Sequence, residues 1–123
     1  MSKCVLIVDD SETVRQVLQM TLTNAGYDVI EAVDGEDAIE KLTNASSVNM
    51  LITDLNMPNM DGLQLIQQVR KERNHRFMPI VMLTTESSEE KKQAGRDAGA
   101  SGWIVKPFKP EQLLKVVKMV LGS

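Results

Sequence analysis

Residues 50–62 read MLITDLNMPNMDG, and this stretch decides the fold. Four apolar or β-branched residues lead into Asp54, and a run of turn-forming residues follows it. A short, continuously apolar run is typical of a strand in the middle of a parallel sheet that is covered on both faces. Ligands bind such sheets at the carboxyl ends of the strands. Asp54 is therefore either a ligand-binding carboxylate or an ordinary turn former at a strand end.

The composition predicts one globular domain that spans residues 1–123. A chain of this length buries a real core but is too short for a second folding unit. The net charge of −3 disfavours nucleic-acid binding, which needs clustered Lys and Arg side chains. The apolar run at residues 4–8 is too short for a signal peptide or a membrane span. We expect a cytoplasmic protein that does not interact with membranes.

Neither the single cysteine nor the single histidine indicates a catalytic or metal-binding site. Cys4 has no partner for an internal disulfide, and its place in an apolar strand is typical of a small core residue rather than a nucleophile. His75 lies in a polar segment with no second His or Cys nearby, so a metal-binding role is not expected.

The chain alternates predicted strands with predicted helices. Glu31 interrupts the second strand and the fifth strand is short, so both belong at the sheet edges. With right-handed crossovers, this gives a doubly wound α/β domain with the parallel strand order 2-1-3-4-5. The predicted strands are residues 3–8, 29–32, 50–54, 80–84 and 103–105, and helices follow Ser11, Asp34, Asp61 and Ser87 and begin near Pro110.

Capping patterns predict several of the helix starts. In such a pattern a polar cap is followed three residues later by an acid or an amide. For the fourth helix the pair is Ser87 and Glu90, but its apolar residues are only Ala94 and Ala98. We therefore expect this helix to bury little surface and to be the most mobile. The other pairs are Asp34 with Asp37 and Asp61 with Gln64.

Three carboxylates are predicted to meet where the strand order reverses, between strands one and three. Asp9 and Asp10 end strand one, and Asp54 ends strand three. Two like charges about 4 Å apart repel by about 4 kcal/mol at an effective dielectric near 20, so the cluster needs a cation or must take up protons. Lys106, at the end of strand five, can offset one charge. The remaining charge favours Mg²⁺, which prefers oxygen ligands.

The same edge of the sheet carries a hydroxyl group, because Thr84 ends strand four. A metal, a lysine, a hydroxyl and a carboxylate nucleophile together suit phosphoryl transfer. No glycine-rich phosphate loop is present, so a nucleotide site is not expected. Taken singly, Thr84, Lys106 and Trp103 are ordinary strand, surface and packing residues. Their joint position at the strand ends favours a functional site.

Five motifs in this order and spacing resemble the receiver domain of two-component response regulators, in particular single-domain regulators of the CheY type. The likeness spans essentially the whole chain, and it implies a flavodoxin-like fold and a phosphorylation-dependent signalling switch rather than an enzyme. Chemotaxis is one output that this resemblance implies. The motifs are VDDS at 8–11, DLNMPNMDG at 54–62, LTTE at 83–86, DAGASGW at 97–103 and VKPF at 105–108.

The resemblance implies a role for each residue of the acidic site. Asp54 is the implied phosphoacceptor, and Asp9 and Asp10 form the acidic pair of the Mg²⁺ site. The direct protein ligands of Mg²⁺ would be Asp10, Asp54 and the carbonyl oxygen of Asn56. Lys106 would pair with the phosphoryl group, and its bond to Pro107 would be cis.

The resemblance also implies switch and tuning residues. Thr84 would be the switch hydroxyl and Trp103 the switch aromatic. The aromatic in this family is usually Tyr, Phe or His, so Trp103 is a departure towards a larger ring. Asn56 and Glu86 occupy the positions that set how fast the aspartyl phosphate is lost.

A sensor histidine kinase would be the phosphodonor of such a protein. A downstream protein would bind the face formed by helix four, strand five and helix five, and we expect a monomer. One alternative is a Mg²⁺-dependent aspartyl-phosphate phosphohydrolase of the haloacid-dehalogenase kind, but these enzymes need an Asp where this chain has Asn56. Another is a degenerate receiver that acts as a non-phosphorylated adaptor, which the intact set of site residues argues against.

Overall fold

Five parallel strands form one sheet in the order β2-β1-β3-β4-β5. The computed structural model describes residues 3–44, 47–72, 75–85 and 88–121, and the sheet lies within these ranges. The predicted fold class and strand order are confirmed. The strands are β1 (Cys4–Val8), β2 (Asp28–Ala32), β3 (Met50–Asp54), β4 (Ile80–Thr84) and β5 (Gly102–Val105).

A helix follows each strand. None of the helices within the described ranges is long and apolar enough to cross a membrane. The helices are α1 (Glu12–Asn24), α2 (Gly35–Asn44), α3 (Gly62–Lys71), α4 (Glu89–Ala98) and α5 (Pro110–Leu121).

Two of the predicted helix starts are present as expected. The Asp61 carboxylate accepts a hydrogen bond from Gln64 N at 2.8 Å, and the Gln64 side chain accepts one from Asp61 N at 3.0 Å. At α2, the Asp34 carboxylate accepts a hydrogen bond from Asp37 N at 2.8 Å. Each cap satisfies a backbone N–H that has no partner inside the helix.

The predicted start of α4 at Ser87 was wrong by one residue. The cap is Ser88, whose hydroxyl oxygen accepts a hydrogen bond from Lys91 N at 3.3 Å. Ser87 itself lies outside the described residues. The capping pattern favoured the wrong serine, because Glu90 lies three residues after Ser87 whereas Lys91 lies three residues after Ser88.

Helices cover both faces of the sheet. Alternate residues of β1, β3 and β4 point to opposite faces, and these three strands are almost entirely buried, as central parallel strands are. One face packs against α1 and α5, and the other against α2, α3 and α4. The first core includes Val5, Ile52, Leu18, Leu22 and Leu113, and the second includes Leu6, Leu51, Leu65, Ile66 and Val69.

The predicted buried stripes of two helices need correction. In α1, Val17 was expected to face inward, but it is 44% exposed and borders a cavity. In α3, Leu65 is fully buried, whereas Leu63, which was expected in the core, only packs against its margin. The burial of a residue at the edge of a helical stripe depends on the neighbouring loops as well as on its spacing in the sequence.

The fourth helix has little apolar surface to bury. Its buried residues are Gly95 and Ala98. A Cβ at Gly95 would clash with the side chain of Met82, so the absence of a side chain lets α4 lie close to β4. The sparse packing agrees with the composition of the helix, and its mobility stays a prediction.

Arg70 joins three segments of this side of the molecule. Its guanidinium group donates hydrogen bonds to the carbonyl oxygen of Gly99 at 2.7 and 3.1 Å, and therefore holds the end of α4. The same group donates to the carbonyl oxygens of His75, Arg76 and Met78 at 3.0, 3.1 and 2.6 Å, in the segment before β4. Arg70 therefore links α3 by hydrogen bonds to the end of α4 and to the segment before β4.

Replacing Arg70 tests this role. Arg70→Met keeps much of the side-chain volume but leaves several half-buried carbonyl oxygens without a donor, so we expect the free energy of unfolding to fall by about 2–3 kcal/mol. Lys71→Met is the matched control, because Lys71 is the next residue of the same helix and is exposed. Urea denaturation followed by circular dichroism measures both. Equal stability of the two variants would contradict the role of Arg70.

Candidate functional site

The three predicted carboxylates lie together in the crevice between β1 and β3. Asp9 and Asp10 follow β1, Asp54 ends β3, and the two strands pair with Val8 opposite Thr53. One carboxylate oxygen from each Asp lies within 4.8 Å of the others. Adjacent parallel strands that end in register therefore bring together residues 45 positions apart in the chain.

Lys106 reaches this cluster from the far side of the sheet. Its Nζ lies 2.9 Å from Asp9 Oδ2 and 3.2 Å from Asp54 Oδ1. The Lys106 backbone N–H donates to Thr84 O at 2.8 Å, which anchors the residue beside the end of β4. The bond between Lys106 and Pro107 is cis, as the resemblance implied. One ammonium group thus links the ends of β1 and β3.

Asp9 is held more firmly than a surface carboxylate. It is fully buried, and its Oδ1 accepts a hydrogen bond from Ser11 N at 2.9 Å while Oδ2 accepts from Lys106. Arg15 donates to the Asp9 carbonyl oxygen at 2.6 Å and pairs with Glu31 at 3.4 Å. Sequence analysis did not identify Arg15, because an arginine on a helix surface is common and carries no special signal.

Burial and charge act against each other in this crevice. Burial raises the pKa of Asp54, and the Asp9 carboxylate raises it further, although Lys106 opposes both effects. Burial alone lowers the pKa of Lys106, but its hydrogen bond to Asp9 and the charges of Asp54 and Asp9 outweigh burial and raise it. Lys106 therefore remains an ammonium group, while the ionised form of Asp54 is disfavoured without a further cation.

Asp9 and Asp10 differ in what they can bind. Both carboxylate oxygens of Asp9 already accept hydrogen bonds, whereas Asp10 is exposed to solvent. Asn56, two residues beyond Asp54, is exposed as well. Carboxylate and carbonyl oxygens are the ligands that hard divalent cations prefer, so the residues present fit such an ion. Asp10 and Asp54 are the carboxylates best placed to hold it.

The loop after β3 is shaped by Gly62 and Asn59. Gly62 N donates to Leu55 O at 2.9 Å, and a Cβ at Gly62 would clash with the carbonyl oxygen of Asp54. Asn59 has a φ of 69°, in the left-handed region that Asn tolerates better than most residues. Sequence analysis treated Gly62 as a turn former only. Its close approach to the carbonyl oxygen of Asp54 shows that it also packs against the backbone at the end of β3.

The remaining predicted site residues are spread along the edge of the sheet. Thr84 is buried at the end of β4. Trp103 is partly buried against α4, where Lys92 Nζ and Arg96 Cζ each lie 5.1 Å from its ring centroid. Cations at this distance attract the face of an aromatic ring. Glu86, the predicted tuning residue, lies outside the described residues.

Comparisons with known proteins identify the family. The response regulator receiver domain matches residues 5–118. The chain is 44% identical over 119 residues to a chemotaxis protein CheY homolog of Campylobacter jejuni, covering 96% of this chain and 92% of that protein. It is 43% identical to chemotaxis protein CheY1 of Helicobacter pylori, covering 96% of each.

A solved structure agrees with this assignment. The structure of chemotaxis protein CheY4 of Vibrio cholerae superposes with a TM-score of 0.94 at 48% identity, covering 98% of this chain and 99% of that one. The strand order and the match to the receiver domain lead to the same conclusion. The chain belongs to the response regulator receiver family and is of the CheY type.

Proposed function

We propose that this receiver is a phosphorylation-dependent switch that accepts a phosphoryl group on Asp54 from the phosphohistidine of a sensor histidine kinase. The observation that carries this proposal is the nearly buried Asp54 carboxylate, which lies 3.2 Å from Lys106 Nζ inside a cluster of three carboxylates. Relatives that are named for chemotaxis support chemotaxis as the process. The switch acts by binding a downstream protein in its phosphorylated state.

The chemistry follows from the contacts of Asp54. Its Oδ1 accepts a hydrogen bond from Lys106, which holds the carboxylate in place while one of its oxygens attacks phosphorus. An O–P bond forms as the P–N bond of the donor breaks, and the electron pair of that bond returns to the imidazole nitrogen. Lys106 and the Thr84 hydroxyl then bind oxygens of the transferred phosphoryl group, where they stabilise its charge.

Mg²⁺ fits the oxygen donors of this site. Asp10, Asp54 and the carbonyl oxygen of Asn56 would hold it, and Asp9 would position Lys106 and the loop after β1. When bound, the ion would supply positive charge that offsets the crowded carboxylates and the incoming phosphoryl group. Asn56 and Glu86 are proposed to tune the rate at which the phosphoryl group is lost.

The face formed by α4, β5 and α5 is the proposed binding surface for the downstream protein. It exposes Val105 and Met119, which are 39% and 70% accessible. A groove of about 520 Å³ runs beside Trp103 and is bordered by Gln112 and Lys115. Exposed apolar side chains beside a groove are typical of a protein-binding surface. Thr84 and Trp103 would couple this face to Asp54, because Trp103 contacts α4 as well as belonging to β5.

The proposed function also implies a cellular location and an oligomeric state. We place the protein in the cytoplasm as a monomer whose receiver domain extends over residues 1–123, with no direct binding to nucleic acid or membranes.

A phosphohydrolase of the haloacid-dehalogenase kind is the weaker alternative, because Asn56 replaces the carboxylic acid that such an enzyme needs. A non-phosphorylated adaptor is also weaker, since it would not need Lys106 beside two buried carboxylates.

Asp54→Asn tests the acceptor assignment. An amide cannot attack phosphorus, so labelling by acetyl phosphate in the presence of Mg²⁺ is expected to fall to background. Asp97→Asn is the control, because Asp97 is exposed on α4. Phosphate-affinity electrophoresis measures the labelled fraction. Labelling of Asp54→Asn at the wild-type rate would disprove that Asp54 is the acceptor.

The crowded carboxylates predict a pH-dependent stability. In EDTA near neutral pH, Asp54→Asn should raise the melting temperature by about 4 °C, because it removes a carboxylate whose pKa is raised by burial and by Asp9. Because the pKa of Asp54 is raised in the native state, the wild type loses stability as the pH rises from about 4 through that pKa. The melting temperatures of the wild type and Asp54→Asn, plotted against pH, should therefore converge below about pH 4.

Added Mg²⁺ should stabilise the wild type and have less effect on Asp54→Asn. Asp10→Asn should also raise stability in EDTA, but by less, because Asp10 is exposed. Thermal melts followed by circular dichroism measure these effects. An Asp54→Asn variant that melts at or below the wild-type temperature in EDTA at neutral pH would argue against repulsion in the crevice.

Trp103 provides an optical test of the switch. It is the single tryptophan of the chain, and its ring lies against Lys92 and Arg96. If phosphorylation moves β5 relative to α4, these contacts change and the emission of Trp103 should shift on addition of Mg²⁺ and beryllofluoride. Asp54→Asn should abolish the beryllofluoride-dependent part. Unchanged wild-type emission at saturating beryllofluoride, with binding shown by fluorine NMR, would make Trp103 a packing residue.

A further inference from the structure

A cavity of about 370 Å³ adjoins the acceptor site on the side of α1. It lies between the first half of α1 and the loop that follows β5. No role in the proposed phosphotransfer accounts for it. Its walls include Val14, Val17, Thr85, Lys106, Pro107 and Phe108.

The walls of this cavity are mainly apolar. Val14 and Val17 form the α1 side, and Pro107 and Phe108 form the opposite side. Val17 is 44% exposed although it belongs to the apolar stripe of α1, so the cavity leaves hydrocarbon in contact with water. A concave, largely apolar volume of this size with few polar groups is typical of a small-molecule site.

The cavity shares Lys106 with the acceptor site. This residue lines the cavity, while its Nζ donates to Asp54 Oδ1 at 3.2 Å. Thr85, also on the wall, directly follows Thr84. A donor with its phosphoryl group at Asp54 would pass Lys106 to place the rest of its structure in this cavity. Among the described wall residues Lys106 carries the charge, so the charged end of such a molecule belongs near Lys106 and its hydrocarbon belongs deeper inside.

A small molecule fits the cavity better than a protein surface does. A stable protein interface covers about 800 Å² on each partner, whereas a cavity of about 370 Å³ is at the lower end of the range for pockets that hold small molecules. By contrast, the groove beside Trp103 is larger and is bordered by Gln112 and Lys115. The two concave regions therefore have different chemistry.

We infer that this cavity binds the hydrocarbon tail of an acyl phosphate, so that the protein prefers acyl phosphates with a tail longer than acetyl as small-molecule phosphodonors. The inference rests on the proposed acceptor role of Asp54. In the transfer, an O–P bond forms to Asp54 and the P–O bond to the acyl group breaks. The electron pair leaves with that oxygen, so the acid is released as its carboxylate and no oxidant or reductant is needed.

The test compares butyryl phosphate with acetyl phosphate as donors to the full chain in Mg²⁺. Second-order rate constants for phosphorylation come from phosphate-affinity electrophoresis. For the wild type we expect butyryl phosphate to react about fourfold faster, because two additional methylene groups become about half buried. The rate ratio, rather than either rate, is the diagnostic quantity.

Variants of matched exposure locate the effect. Val17→Gln places a polar side chain on the cavity wall at an exposed helix position that tolerates it, and it should bring the donor ratio to about one. Val33→Gln changes a valine of similar exposure, 48%, that is not on the wall, and it should keep the wild-type ratio. Phe108→Ala removes part of the opposite wall and should also lower the ratio.

The outcomes separate this inference from the proposed function. If neither donor labels the wild type, the acceptor role of Asp54 fails and the inference fails with it. If both donors label the wild type at the same rate, or if Val17→Gln keeps the wild-type ratio, the acceptor role stands and only the inference fails. Val17→Gln could leave the donor ratio unchanged and instead slow transfer from a phosphorylated histidine-kinase domain, which would assign the cavity to a protein partner. It could also leave the ratio unchanged and alter the sedimentation coefficient, which would assign the cavity to a second copy of the chain. Either result would overturn the inference.

Discussion

The Lys106 ammonium group lies between two carboxylates that come from different strands, and the site depends on this arrangement. Asp9 and Asp54 are both buried, and without a cation their repulsion would oppose closure of the crevice. The Lys106 backbone is anchored to Thr84 at the end of β4. The strand order therefore places this lysine where its charge offsets part of the repulsion between Asp9 and Asp54. The raised pKa of Asp54 shows that one lysine does not offset the whole cluster.

The helices are packed to different degrees. The helices α1, α3 and α5 bury large aliphatic residues, whereas α4 buries Gly95 and Ala98 and relies on other contacts. Arg70 holds its carboxyl end through Gly99, and the Trp103 ring lies against two of its cations. Cation–π contacts at exposed sites contribute about 0.5–1 kcal/mol each. This energy is small compared with that of the charge-assisted hydrogen bonds that a phosphoryl group would introduce. A helix held this way is suited to respond to a change at Asp54.

Two adjacent aspartates have different roles in the structure. Asp9 points inward and has hydrogen bonds on both carboxylate oxygens, while Asp10 is exposed. Distance from the sheet explains the difference, since Asp9 N still donates to Ala32 O at 3.3 Å whereas Asp10 lies one residue further beyond the strand. Asp9 is therefore part of the scaffold that positions Lys106, and Asp10 is free of that task and available to a cation. The same reasoning separates Thr84, which is buried, from Thr85, which borders the cavity beside α1.

The sequence by itself determined the five strands and the acidic cluster, because apolar runs and helical spacing are local patterns, and the interrupted strand β2 and the short strand β5 favoured the strand order that the structure has. Five motifs between residues 8 and 108 indicated the family through their resemblance to known receiver domains. Only the tertiary structure decided the roles of Arg15, Arg70 and Gly62, the exposure of Val17 and the contacts of Trp103 with α4. These depend on where loops and neighbouring helices place backbone and side-chain atoms, and contacts between residues distant in the chain leave no periodic signal in it.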